Sequence, residues 1–85
     1  MEKSNKTYKT IGEVSKEISI STTTLRFWEK EFKQIKPKIL NGKRRYYDIK
    51  NIELLKKVHF LLKEQGMTIK GVKKILNNNE PLNLD

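Results

Sequence analysis

Ser21-Thr22-Thr23-Thr24-Leu25-Arg26-Phe27-Trp28-Glu29-Lys30-Glu31-Phe32 is the stretch that decides the fold. Ser21 has the short hydroxyl side chain that caps helix N-termini, and Leu25, Trp28 and Phe32 follow at helical spacing. With Leu25 set at zero and each residue advancing about 100°, these three cluster within about 60° and define an inward side. Thr23, Arg26, Phe27 and Lys30 fall on the other side, spread over about 100°. The outer face therefore carries a hydroxyl, a guanidinium fork, an aromatic ring and an ammonium. That mix suits the major groove of a DNA duplex, with phosphate contacts from Thr23 and Lys30, base-edge readout from Arg26 and apolar contact from Phe27. A plain solvated face would account for Thr23 and Lys30 but less well for a phenylalanine turned to water.

Working upstream, Thr10-Ile11-Gly12-Glu13 has the capping-box pattern, threonine followed three places on by glutamate, and so opens an earlier helix. Ile11, Val14 and Ile18 give that helix one apolar stripe. The break at Ser19-Ile20 is short, and two helices joined by so tight a turn form a helix-turn-helix.

Downstream, Pro37 stops the helical pattern. Lys38-Ile39-Leu40 and Lys43-Arg44-Arg45-Tyr46-Tyr47 then flank Asn41-Gly42, a strong short-range signal for a β-hairpin because both turn residues accept positive φ. This hairpin is a basic wing. From Lys33 to Lys50 there are seven cations (Lys33, Lys36, Lys38, Lys43, Arg44, Arg45 and Lys50) against one acid, Asp48. Alternation puts Arg44 and Arg45 on opposite faces. One is expected to meet the DNA backbone or minor groove and the other to pack its stem or pair with an acid; the sequence leaves open which does which. Dense charge also protects exposed strand edges from aggregation, but beside the outer face of the second helix it points to DNA.

Asp48 caps a third helix with Ile52, Leu55, Val58 and Leu62 inward and Gly66 at its end, and Thr68 caps a fourth holding Ile69, Val72 and Ile75 or Leu76. The fold class expected is mostly α, a winged helix-turn-helix: helix, turn, helix, hairpin wing, then two further helices. The body spans 10–76, with a flexible arm at 1–9 and a linker or frayed tail at 77–85.

Composition agrees. Eighty-five residues allow one domain, and a net charge of +9 calls for a polyanionic partner. Of nineteen cations only Arg26, Arg44 and Arg45 are arginine, the side chain whose planar fork suits guanine edges and phosphates. With no cysteine and a single histidine, His59, which reads as a packing residue, no metal site or cofactor is expected. Scattered carboxylates, no phosphate-cradling glycine loop and no nucleophile-with-base pair give catalysis no support. The longest apolar run, Val58-His59-Phe60-Leu61-Leu62, is far too short for a membrane span, and the polar N-terminus is no signal peptide.

Taken together, Ile11-Gly12-Glu13-Val14, Ser21 to Glu29, Asn41-Gly42-Lys43-Arg44-Arg45-Tyr46-Tyr47 and Gly66-Met67-Thr68-Ile69 resemble the DNA-binding domain of MerR-type transcriptional regulators over residues 10–76. The resemblance implies a bacterial, cytoplasmic, nucleoid-associated protein that binds a pseudo-palindromic promoter site as a homodimer, in the full-length protein or on DNA. It implies that binding bends and untwists the duplex, with RNA polymerase as an indirect partner. It implies that Arg26 meets bases or adjacent backbone, Phe27 lies against sugar and phosphate, Arg44 and Arg45 act in the wing, and Lys70 adds a phosphate contact from the fourth helix.

Two departures stand out. The family often has tyrosine at the position of Phe27, so a hydroxyl contact to phosphate is missing. Family proteins usually continue into a long dimerisation helix and an effector region, whereas this sequence stops at Asp85. It reads either as the N-terminal domain of a longer regulator or as a one-domain relative, as in excisionase-like architectural factors. A module docking an acidic protein partner through Lys33 to Lys50 is the alternative outside DNA binding.

Overall fold

The computed structural model describes residues 8–40 and 42–78. Their order is β1 (Lys9–Thr10), α1 (Ile11–Ile18), α2 (Thr22–Glu31), β2 (Lys38–Leu40), β3 (Arg44–Tyr47), α3 (Ile49–His59) and α4 (Ile69–Asn78). This is the mostly helical winged helix-turn-helix expected from the sequence.

Each helix starts where its cap predicts. The Glu13 backbone N–H donates to Thr10 Oγ1 at 3.2 Å and the Thr10 N–H donates to Glu13 Oε1 at 2.8 Å, a complete capping box. Ser21 Oγ accepts from the Thr24 N–H, Asp48 Oδ1 from the Asn51 N–H and Thr68 Oγ1 from the Gly71 N–H. Between α1 and α2, Ser19 takes a left-handed conformation at φ 65°, and its N–H and that of Ile20 both reach the Ser15 carbonyl. Ser15 Oγ donates to the Ile20 carbonyl at 2.6 Å, while the Ile20 side chain is buried. The tight turn is thus held by local hydrogen bonds and by one apolar anchor.

The core is continuous from α1 to α4. Val14 and Ile18 meet Leu25, Trp28 and Phe32 of the α2 segment, Ile52, Leu55 and Val58 of α3, and Val72 and Leu76 of α4. Ile20, Ile35 and Tyr47 complete it from the connecting segments. At the far end, Lys73 Nζ lies 3.0 Å from Glu31 Oε1 and Gln34 Nε2 donates to Asn77 Oδ1 at 2.8 Å, fastening α4 beside the end of α2. Asn77 and Asn78 are therefore helical, extending α4 two residues into the stretch expected to be linker. The remainder of that stretch, and positions 1–7 of the N-terminal arm, lie outside the described residues.

Three further details depart from the sequence reading. The sheet has three strands in the order β1-β3-β2, because Lys9 and Thr10 pair antiparallel with Tyr47 and Tyr46. Lys9 thus belongs to the sheet and not to a free arm. Leu40 pairs with Arg44, so Lys43 sits in the turn and not opposite Leu40. Gly42 has φ 85° there, a conformation open to glycine; Asn41 lies outside the described residues. Finally, α3 continues into a single π-turn, Phe60–Glu64, closed by Gly66 at φ 64°. The wider turn splits the inward stripe between Leu61 and Leu62, both half-buried, and leaves Phe60 exposed.

Candidate nucleic-acid interface

The outer face of α2 is where the wheel placed it. Leu25 and Trp28 are buried, while Thr23, Arg26, Phe27 and Lys30 are exposed, Phe27 by 47%. The wing rises beside this face. A groove of about 420 Å³ between them is lined by Thr10, Ile11, Thr22, Arg26, Lys43, Arg44 and Arg45. A second hollow, lined by Thr23, Arg26, Phe27, Glu29, Lys30 and Arg45, runs along the outer flank of α2. Arg26 and Arg45 belong to both, so the two hollows form one surface, and all three arginines of the chain converge on it.

The geometry distinguishes the two wing arginines. Tyr47 is wholly buried, so the face of β3 that carries it points into the protein, and alternation puts Arg45 on that same face. Arg45 Nε donates to Glu29 Oε1 at 2.8 Å, with side-chain exposures of only 25% and 19%. Tyr47 Oη donates to the same Glu29 oxygen at 3.5 Å. Burial, and then the negative charge of Glu29, push the Tyr47 hydroxyl up to about 12, which keeps it a neutral donor. Arg44 lies on the opposite face and is exposed. The arginine that pairs with an acid is therefore Arg45.

The wing is anchored at its base as well. Asn51, on α3, accepts from the Lys36 N–H through Oδ1 at 2.8 Å and donates to the Lys36 carbonyl through Nδ2 at 3.0 Å. Its side-chain amide thus serves the backbone of Lys36 as a neighbouring strand would. The same Nδ2 also donates to Asp48 Oδ1 at 2.9 Å, which orients it.

Two of the residues expected at the interface stand apart from the groove. Lys38, on β2, has its Nζ 5.5 Å from the centroid of the Tyr8 ring, a cation–π distance. Lys70 is exposed on α4 and lines neither hollow. Conversely, sequence reasoning did not pick out Thr10, Ile11, Thr22 or Glu29 as parts of this surface, nor the buried Tyr47 beneath it. For Glu29 a signal existed: it is the acid three residues beyond Arg26 on a helix whose wing partner needed an acid. His59, read as a packing residue, is half-buried with its ring centroid 6.2 Å from that of Trp28.

Comparison with protein-family models matches residues 9–79 to the model described as MerR HTH family regulatory protein. No curated protein and no solved structure matches the chain at a significant level.

Proposed function

The chain belongs to the MerR HTH family of regulatory proteins, and from that premise we propose that it binds double-stranded DNA sequence-specifically to regulate transcription. In this reading α2 enters the major groove. Arg26 reads a base edge or the adjoining backbone, Phe27 lies against sugar and phosphate, and Thr23 and Lys30 contact phosphates. Lys43 and Arg44 at the wing tip reach the flanking backbone or minor groove, with Arg45 behind them. Lys38 and Lys70 add charge outside the groove and supply longer-range phosphate attraction. Two copies of the domain reading two half-sites would match a pseudo-palindromic site.

The observation that carries the reading is the convergence of Arg26 and the wing tip on one open groove, with an exposed phenylalanine beside it. A helix face that merely met solvent would have no need of a cationic finger along its flank. The test is a gel-shift titration against a selected duplex pool. Wild type should enrich preferred sites, and Arg26→Ala should lose about 1–3 kcal/mol of discrimination at one position while keeping salt-sensitive residual binding. Unchanged preference in Arg26→Ala would refute the assignment of α2 as the reading helix. Binding that survives changes at both Arg26 and Phe27, and that DNA fails to compete, would point to an acidic protein partner.

A further inference from the structure

We propose that Glu29 is a positioning residue for DNA reading: it holds Arg45 within the protein, fixes the direction of the wing relative to α2, and leaves Arg44 as the wing arginine that meets the duplex. The inference rests on the DNA-binding reading above and gives two adjacent arginines opposite duties.

Glu29 is the one acid among the residues lining the two hollows of this basic surface. Facing a phosphate polyanion, a lone carboxylate would repel the ligand. Here it is engaged by Arg45 Nε at 2.8 Å and by the Tyr47 hydroxyl at 3.5 Å, all three side chains being largely or wholly withdrawn from water. An ion pair so placed is screened less by salt than one at the surface. The pair also spans the two reading elements, since Glu29 sits one helical turn beyond Arg26 and Arg45 sits on β3 next to Arg44.

The wing needs such a tie. Its strands are three and four residues long, and a sheet that short is compliant by itself. Tyr47 and Asn51 hold its base, but among the described residues Arg45 is the point nearest the tip at which a side-chain hydrogen bond joins it to α2. Were Arg45 to leave for a phosphate, Glu29 would remain uncompensated in the groove that the DNA occupies. Arg44, on the opposite face of the strand and exposed, has no such obligation.

The experiment compares wild type, Glu29→Gln, Arg45→Met, the double variant and Arg44→Met on one preferred duplex across a salt series. Backbone ¹⁵N relaxation of Lys43 and Arg44 is measured in each protein without DNA. Removing an acid from a DNA-facing groove strengthens binding on charge alone; the positioning role predicts the opposite sign. Glu29→Gln and Arg45→Met should each weaken binding by about tenfold and loosen the Lys43 and Arg44 amides, with the double variant no worse than the worse single. Only Arg44→Met should lower the salt slope, by about 1. The proposal is overturned by tighter binding in Glu29→Gln, by a slope loss in Arg45→Met equal to that in Arg44→Met, or by unchanged wing relaxation. If wild type showed no duplex preference, the DNA reading would fail, and the relaxation measurements would still decide whether Glu29 orders the wing.

Discussion

The root of the wing and its tip are built on different terms. At the root, Tyr47 is fully buried, Arg45 is paired with Glu29, and the Lys36 backbone is gripped by the Asn51 amide. At the tip, Ile39 and Leu40 are nearly half exposed, Gly42 has the turn conformation, and Lys43 and Arg44 face solvent. The root obeys the core, because a phenol and a hydrogen-bonded carboxylate cannot move without leaving a cavity or an unpaired polar group. Little of the fold depends on the tip, so its residues are free to be chosen for charge. The difference teaches that the direction of the wing is a property of the folded core, whereas its exposed charge belongs to the loop.

Several substitutions would break or sharpen that contrast. The largest effect is expected at the root: Tyr47→Ala should cost about 3–5 kcal/mol in urea or thermal unfolding, as for other large aromatic truncations. In a domain this small that would leave much of the population unfolded. Leu40→Ala at the tip should stay within about 0.5 kcal/mol, as exposed positions do. Equal losses at the two sites would erase the distinction between root and tip.

Asn51→Ala comes next. It removes both hydrogen bonds to the Lys36 backbone in a partly exposed setting and should cost about 1 kcal/mol in the same denaturation assay. No loss would mean that the root of the wing is held by Tyr47 and the Arg45–Glu29 pair without help from Asn51. Lys43→Ala should leave stability within about 0.5 kcal/mol while lowering the slope of log affinity against log salt by about 1, measured by fluorescence titration with a duplex.

The smallest effect concerns β1, the strand behind the root. Glu17 accepts from Lys9 at 2.6 Å and lies 3.2 Å from Lys56 Nζ, joining β1 and α3 to α1. The hydrogen bonds from Lys9 and then Lys56 hold its carboxyl below the usual carboxylate range. A carboxyl with a lowered folded-state pKa contributes stability above its unfolded pKa, and that contribution disappears as pH falls through the folded value. Glu17→Gln should therefore lower stability slightly at neutral pH and reduce the loss on acidification by the same small amount, as followed by thermal melts across an acid series. An unchanged acid limb would show the exposed pair to be energetically silent.

Much of the architecture was legible because it is written in local chemistry. Thr10, Ser21, Asp48 and Thr68 announce four helix starts, and every one makes its hydrogen bond. The spacing of Leu25, Trp28 and Phe32 fixed which side of α2 faces outward, and Thr23, Arg26, Phe27 and Lys30 are all exposed as a result. What escaped depends on partners distant in sequence. Lys9 and Thr10 are two residues, too few to show a strand period, and their pairing with Tyr46 and Tyr47 is invisible without the fold. Pairing of Leu40 with Arg44, and not with Lys43, is a difference of a single step along the strand. The π-turn after His59 is a phase slip that period counting passes over.

By itself the sequence determined which segments are helical, which residues of α2 turn inward, and that a basic hairpin follows, since caps, periodicity and turn residues act over a few neighbouring positions. Only the tertiary structure decided which of two adjacent arginines points outward. In Arg44-Arg45-Tyr46-Tyr47 either alternation is chemically acceptable, as each face would carry one arginine and one tyrosine. The choice falls to the core, where Tyr47 is enclosed and Glu29 waits beside it on α2, 16 residues from Arg45 along the chain. Burial of one ring fixes the register, and the register fixes which guanidinium is held and which is free.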